Sequence, residues 1–121
     1  MAPRSRSVNE SALAEGLELL RRGEHFAAHE ELETAWRCSE AAERDFCQGL
    51  VHVAVAWYQA GRGRQTGCAR QLEKARRRLA PYAPDHRGID VSALLTQLEH
   101  ASALVAAGSL DLDPVSLETS S

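Results

Sequence analysis

The sequence predicts an all-α fold, a single-domain bundle of about five mostly antiparallel helices. Three observations carry that prediction. Apolar residues recur at helical spacing in five separate segments, and no stretch sustains the alternation of a strand. Aromatic residues make up only 5% of the chain, and the 44% that is hydrophobic consists largely of Ala, Leu and Val, which favours helices over a sheet sandwich. At 121 residues the chain has room for one modest core and no second domain.

The elements follow in order. Residues 8–22 place Val8, Leu13, Leu17 and Leu20 on one stripe, with Asn9 or Ser7 as N-cap and Gly23 as the stop. A second helix over about 24–38 aligns Phe26, His29, Glu33 and Trp36 in a narrow, polar seam. The third, about 41–61, is apolar over much of its circumference (Phe46, Leu50, Val53, Ala54, Trp57, with Val51 and Val55 on another face) and is expected to be central. Gly49 within it permits close helix packing. Gly61 and Gly63 break the pattern, and a fourth helix over about 64–80 turns Cys68, Leu72, Ala75 and Leu79 inward before Pro81 and Pro84 end it. Tyr82 to Gly88 reads as a turn-rich connection. Asp90 then caps a fifth helix, through Val91, Leu94, Leu98 and Val105 to about Ala107, closed by Gly108. The domain is thus expected over 8–107, with 1–7 a disordered N-terminal arm and 108–121 a loose C-terminal tail in which Leu110, Leu112 and Leu117 are available for docking.

Composition narrows the function classes. The longest uncharged apolar run, 49–61, is too short to cross a bilayer, and no apolar stretch follows Arg4 and Arg6, so no membrane role is expected and the cytoplasm is the expected location. Cys38, Cys47 and Cys68 lack C-x-x-C spacing and read as reduced thiols. The net charge is −3, yet residues 62–78 hold seven basic side chains against one acidic. Arg76, Arg77 and Arg78 fan around the helix, and the chain as a whole is acidic, so weak anion or nucleic-acid binding by the fourth helix is a minority reading and a nucleic-acid partner is not expected.

The sharpest pattern is Phe26-x-x-His29-Glu30-x-x-Glu33-x-x-Trp36. His29 and Glu33 stand one turn apart, so imidazole and carboxylate project together. Such a pair hydrogen-bonds internally, chelates a divalent metal, or acts as a base with its orienting partner. It is neither the zinc-protease His-Glu-x-x-His string nor a di-iron set of paired Glu-x-x-His helices. Arg44 on the third helix is placed to meet Glu33 in a charge-assisted hydrogen bond, Gln48 one turn on extends the network, and His52 shares the face of Gln48. Phe26, Trp36, Phe46 and Trp57 read as core. His25, His86 and His100 are assigned no role.

Together with Glu43-Arg44-Asp45-Phe46, Gln48-Gly49-Leu50-Val51, the stretch Ala54 to Tyr58 and a Gly-Arg-rich joint before Gly67, this pattern resembles domain-of-unknown-function family 309 over about residues 13–82. The resemblance implies a small all-helical bundle, and members of that family are often labelled predicted metal-dependent hydrolases. Its motif positions fall on His29, Glu30, Glu33, Trp36, Arg44, Gln48 and Gly49, whereas His52, Gln59 and Arg64 depart from the family's usual Gln, His and Asn.

Two functions from different classes follow. In the hydrolase reading, His29 and Glu33 hold a divalent metal and Glu30, Glu33 and Arg44 serve the reaction. In the alternative, a non-enzymatic interaction module, His29, Glu33, Trp36, Arg44, Gln48 and His52 form a structural polar cluster that fixes helix register. The partner is then a small molecule or a protein. A homodimer suits a helical chain of this size, though no heptad run supports one.

Overall fold

The computed structural model describes residues 9–117 and contains five helices: α1 (Glu10–Arg21), α2 (His25–Arg37), α3 (Ala41–Gly61), α4 (Gln65–Leu79) and α5 (Val91–Ala106). Val8, Ser7 and the arm over 1–7 lie outside the described residues. Consecutive helices pack on one another in antiparallel hairpins, α3 against α4 most extensively. The predicted caps form. Asn9 Oδ1 accepts the Ala12 N–H at 3.1 Å, and Asp90 Oδ1 accepts that of Ala93 at 2.9 Å. Gly23, Gly63 and Gly108 adopt φ of +77°, +73° and +94° just past α1, α3 and α5, the left-handed conformation that closes a helix most cheaply at glycine.

The core runs along α3, where Phe46, Leu50, Val53 and Ala54 are fully buried, and receives Leu32 from α2, Leu72 and Leu79 from α4, and Leu94 and Leu98 from α5. Gly49 brings α3 and α4 close together: a Cβ there would stand 2.6 Å from Leu79 Cγ. Among the described residues no helix is long and apolar enough to cross a membrane.

Two regions differ from the sequence reading. The connection after α4 is a 3-10 turn (Ala80–Tyr82) followed by a minimal antiparallel hairpin, β1 (Asp85–His86) and β2 (Ile89–Asp90). Two-residue strands are too short to show alternation. Its turn residues Arg87 and Gly88 have φ of +50° and +77°, the geometry of a type I′ hairpin turn, and arginine is an uncommon residue there. Secondly, the expected loose tail is docked up to Leu117. Val115 and Leu117 are buried, the Trp57 indole N–H donates to the Asp113 carbonyl at 2.9 Å, and the Gln97 amide exchanges two hydrogen bonds with the Ser116 backbone. A buried indole N–H needs an acceptor, and the passing backbone supplies it. Residues 118–121 lie outside the described part.

Candidate functional site

The helical period of α2 delivers His29 and Glu33 to one face, as expected. His29 Nε2 lies 3.4 Å from Glu33 Oε2, with the two side chains 25% and 37% exposed. Glu33 is also tied within its own helix, Oε1 lying 3.6 Å from Arg37 Nη1. Arg44 does not reach it. Its guanidinium stacks over the Trp36 ring, 5.4 Å from the centroid, so α2 and α3 are joined here by a cation–π contact instead of an ion pair. Glu30 is exposed, and Gln48 makes no side-chain hydrogen bond among the described residues.

His52 turns the other way, toward α4. Its Nδ1 lies 2.7 Å from Gln71 Oε1, and since a carbonyl oxygen only accepts, the imidazole donates from Nδ1. Burial holds its pKa below the ordinary value against the opposing pull of that hydrogen bond, with the charges of Lys74, Arg78 and Arg77 adding to the depression. The expected cluster therefore separates into three: His29 with Glu33 and Arg37, Trp36 with Arg44, and His52 with Gln71. One-dimensional spacing puts Arg44, Gln48 and His52 on successive turns, but the 100° advance per residue carries them around α3 toward different neighbours.

The donor set bears on a resident metal. Catalytic zinc takes three protein ligands and leaves one position open. Among the described residues no three or more His, Cys, Asp or Glu side chains are grouped to hold an ion, and His29 and Glu33 alone supply two donors, one of them shared with Arg37. These residues do not fit a resident hydrolytic metal.

What His29 does border is a cleft. Phe26 and His29 from α2 and Val55, Tyr58 and Gln59 from α3, each set at i, i+3 or i, i+4 spacing, enclose about 150 Å³. Phe26, expected in the core, is instead 52% exposed, the one large hydrophobic among the described residues to be so. Its ring centroid stands 5.5 Å from that of Tyr58 and 5.8 Å from that of His29, tilted by 47° and 40°. Gln59 Oε1 is buried without any hydrogen-bond partner, the only such side-chain atom among the described residues. The other side of that amide is close-packed, since a Cβ on Gly67 would come within 3.2 Å of Gln59 Cδ. At the rim the Arg62 guanidinium lies over the Tyr58 ring, 5.7 Å from its centroid.

A second polar group escaped the sequence reading. Glu43, at the start of α3 and with its side chain only 12% exposed, receives the His86 ring nitrogen Nε2 at 2.9 Å and the Arg87 Nε–H at 2.9 Å on the same oxygen. Burial pushes the Glu43 pKa up, but these two partners more than offset it and hold the carboxyl below its ordinary value. Phe46, Tyr82 and His86 pack ring against ring beside it, with centroids 4.6–5.3 Å apart, and the Tyr82 hydroxyl donates to the Ala42 carbonyl at 2.8 Å. The only signal available from sequence was the isolated Arg87-Gly88 pair in an otherwise acidic segment. On α4 the consecutive arginines find carboxylates within the molecule: Arg76 and Arg77 lie against Glu73, Arg76 also against Glu99, and Arg78 donates to Asp45 at 2.6 Å.

With this geometry in place, comparison with known proteins assigns the class. Residues 13–71 match the model of the family described as Domain of unknown function (DUF309). The match runs from α1 through the first half of α4 and so contains α2, α3 and every residue of the cleft, while the hairpin with His86 and Arg87 and the docked tail lie beyond it. No curated protein and no solved structure matches the chain.

Proposed function

We propose that the chain is a non-enzymatic binding module whose working surface is the cleft between α2 and α3. One observation carries the reading: an exposed aromatic side chain, Phe26, stands over a small, mostly apolar recess lined also by Gln59, whose buried Oε1 has no hydrogen-bond partner. Exposed apolar surface costs free energy, and so does a buried acceptor left without a partner. A ligand that covers the first and donates to the second relieves both. At about 150 Å³ the cleft is smaller than the sites that enclose drug-sized molecules, so it takes one compact group with the remainder of its ligand outside.

His29 and Glu33 then shape the rim. Glu33 holds the imidazole against the Phe26 ring, and no reaction step is assigned to either residue. The test is a two-dimensional NMR titration with a panel of small ring- and alkyl-bearing fragments. Shifts are expected to gather on Phe26, His29, Val55, Tyr58 and Gln59, and Val55→Trp, which fills the recess, is expected to abolish them while the thermal transition stays cooperative. Shifts that scatter, or that gather instead in the recess between Trp57 of α3 and His100 and Leu104 of α5, refute the reading.

A further inference from the structure

We propose that the outer seam between α3 and α4 binds a phosphate monoester group through Lys74 and Arg78, with Gln48 and His52 beside them. This face is separate from the α2–α3 cleft and does not depend on it. Asp45 and His52, two turns apart on α3, contact Arg78 and Gln71 across the antiparallel α4. Gln48 comes three residues after Asp45 and four before His52, so it shares their face, and Lys74 takes the matching place between Gln71 and Arg78. Paired side chains thus close the seam at both ends and leave an amide and an ammonium in the middle. Neither Gln48 nor Lys74 has a hydrogen-bond or ion-pair partner among the described residues. His52 Nε2 has none either. Since the only buried side-chain atom without a partner among the described residues is Gln59 Oε1, Nε2 and the Gln48 amide are both open to solvent.

Charge selects the ligand. Arg78 commits Nη1 to Asp45 and keeps Nε and Nη2 free to donate. Burial lowers the His52 pKa, the Gln71 hydrogen bond opposes that, and Lys74, Arg78 and Arg77 add to the lowering, so three cations of α4 act on one imidazole. Arg77 is met by Glu73 on its own helix. On the α2 side of α3, Glu33 is held by His29 and Arg37, and Arg44 lies on Trp36. Asp45 is then the carboxylate set against Lys74 and Arg78, and positive charge is in excess. It rises further when Nε2 takes a proton from solvent, because Nδ1 already carries the hydrogen donated to Gln71. A phosphate monoester brings a charge of about −1.5 to −2 at pH 7 and three acceptor oxygens, which suit an ammonium, a guanidinium fork and an imidazolium. A carboxylate brings a single charge, which the seam meets without the imidazole.

NMR titrations of the full chain test this. Inorganic phosphate is expected to shift the Gln48, His52, Gln71, Lys74 and Arg78 resonances and to bind at least about fivefold more tightly than acetate. Lys74→Gln is expected to weaken phosphate binding about fivefold, whereas Arg64→Gln, which removes the same charge at the other end of α4, changes it by less than about twofold. Lys74 and Arg64 are both exposed, so neither change disturbs the packing. Sulfate stays a dianion across the range and isolates the imidazole: it is expected to bind more tightly as the pH falls from about 8 to about 6 and to raise the His52 titration midpoint, and His52→Gln to abolish that pH dependence. Glycerol phosphate and a phosphoserine peptide distinguish the carrier, a small molecule or a protein side chain, by which of them binds more tightly. Equal losses in Lys74→Gln and Arg64→Gln, or phosphate no tighter than acetate, would mean diffuse attraction to α4 and overturn the proposal. So would shifts away from the seam, an unmoved His52 midpoint, or a single-stranded oligonucleotide that binds more tightly than either phosphate carrier and is weakened alike by both substitutions.

Discussion

Replacing Glu43 with Gln tests whether the last third of the chain is fastened to α3 by charge. In the wild type one carboxylate oxygen receives both His86 Nε2 and Arg87 Nε at 2.9 Å, and Arg87 Nη1 also lies 3.6 Å from Glu10. Gln keeps the shape and one acceptor but removes the charge. Hydrogen bonds to charged groups contribute about 1.5–3 kcal/mol each, against about 1 kcal/mol for neutral ones, so the pair should lose about 1–4 kcal/mol. Because His86 and Arg87 are partly solvated, with side chains 26% and 22% exposed, the low end of that range is expected, about 1–1.5 kcal/mol. Urea unfolding followed by circular dichroism at pH 7 reads this directly: with a slope of about 1–3 kcal/mol per molar, the midpoint should fall by about 0.3–1.5 M with the slope unchanged. The pH dependence supplies a second readout. Glu43 is held below its ordinary value, so its contribution is complete above about pH 4.5 and disappears as the pH drops through the lower folded value, a loss that Glu43→Gln should lack. A midpoint within about 0.2 M of wild type at pH 7, together with an unaltered acid profile, would show that the charges are not fastening anything.

Other outcomes follow from the same geometry. His29→Ala should cost no more than about 0.5 kcal/mol in urea unfolding, since its partner is an exposed neighbour on the same helix; a loss several times larger would revive a register-fixing role. Gly49→Ala should destabilise by about 1–3 kcal/mol despite the better helix propensity of alanine, because its Cβ would meet Leu79 Cγ at 2.6 Å, and an increased melting temperature would disprove the tight α3–α4 approach. The His52 pKa is lowered, so its neutral form is the one the fold favours: stability from this group is complete above about pH 6.5 and declines on acidification below it, and His52→Gln should flatten that decline in thermal melts. Elemental analysis of untagged protein should find less than stoichiometric metal, while one tightly held ion per chain lost on His29→Ala would contradict the two-donor geometry.

The fold was legible because local rules decided it. Asn9 and Asp90 cap where a short polar side chain precedes an apolar stripe, and the closing glycines follow α1, α3 and α5, so helix ends were fixed by a few residues each. Gly49 was readable as a close approach for the same reason. The site was legible only within a helix. His29 and Glu33 met because one turn separates them, whereas Arg44, expected at Glu33, was taken by Trp36 because partner choice between helices depends on their relative rotation, which spacing along one chain does not contain. Phe26 failed for a related reason: an aromatic at helical spacing usually faces the core, and nothing in the sequence says that the stripe on α2 runs off the edge of α3. His86 and the tail were missed because both depend on partners more than forty residues away, Glu43 and Trp57 respectively.

The seating of the tail on Trp57 gives the molecule its own optical gauge. That indole is enclosed and donates to the Asp113 carbonyl, while the other tryptophan, Trp36, lies half open beneath the Arg44 guanidinium. Lifting the carboxy-terminal strand would wet one fluorophore and leave its companion untouched, so a shift of emission to longer wavelength that persists in Trp36→Phe would report the strand's release without any added label.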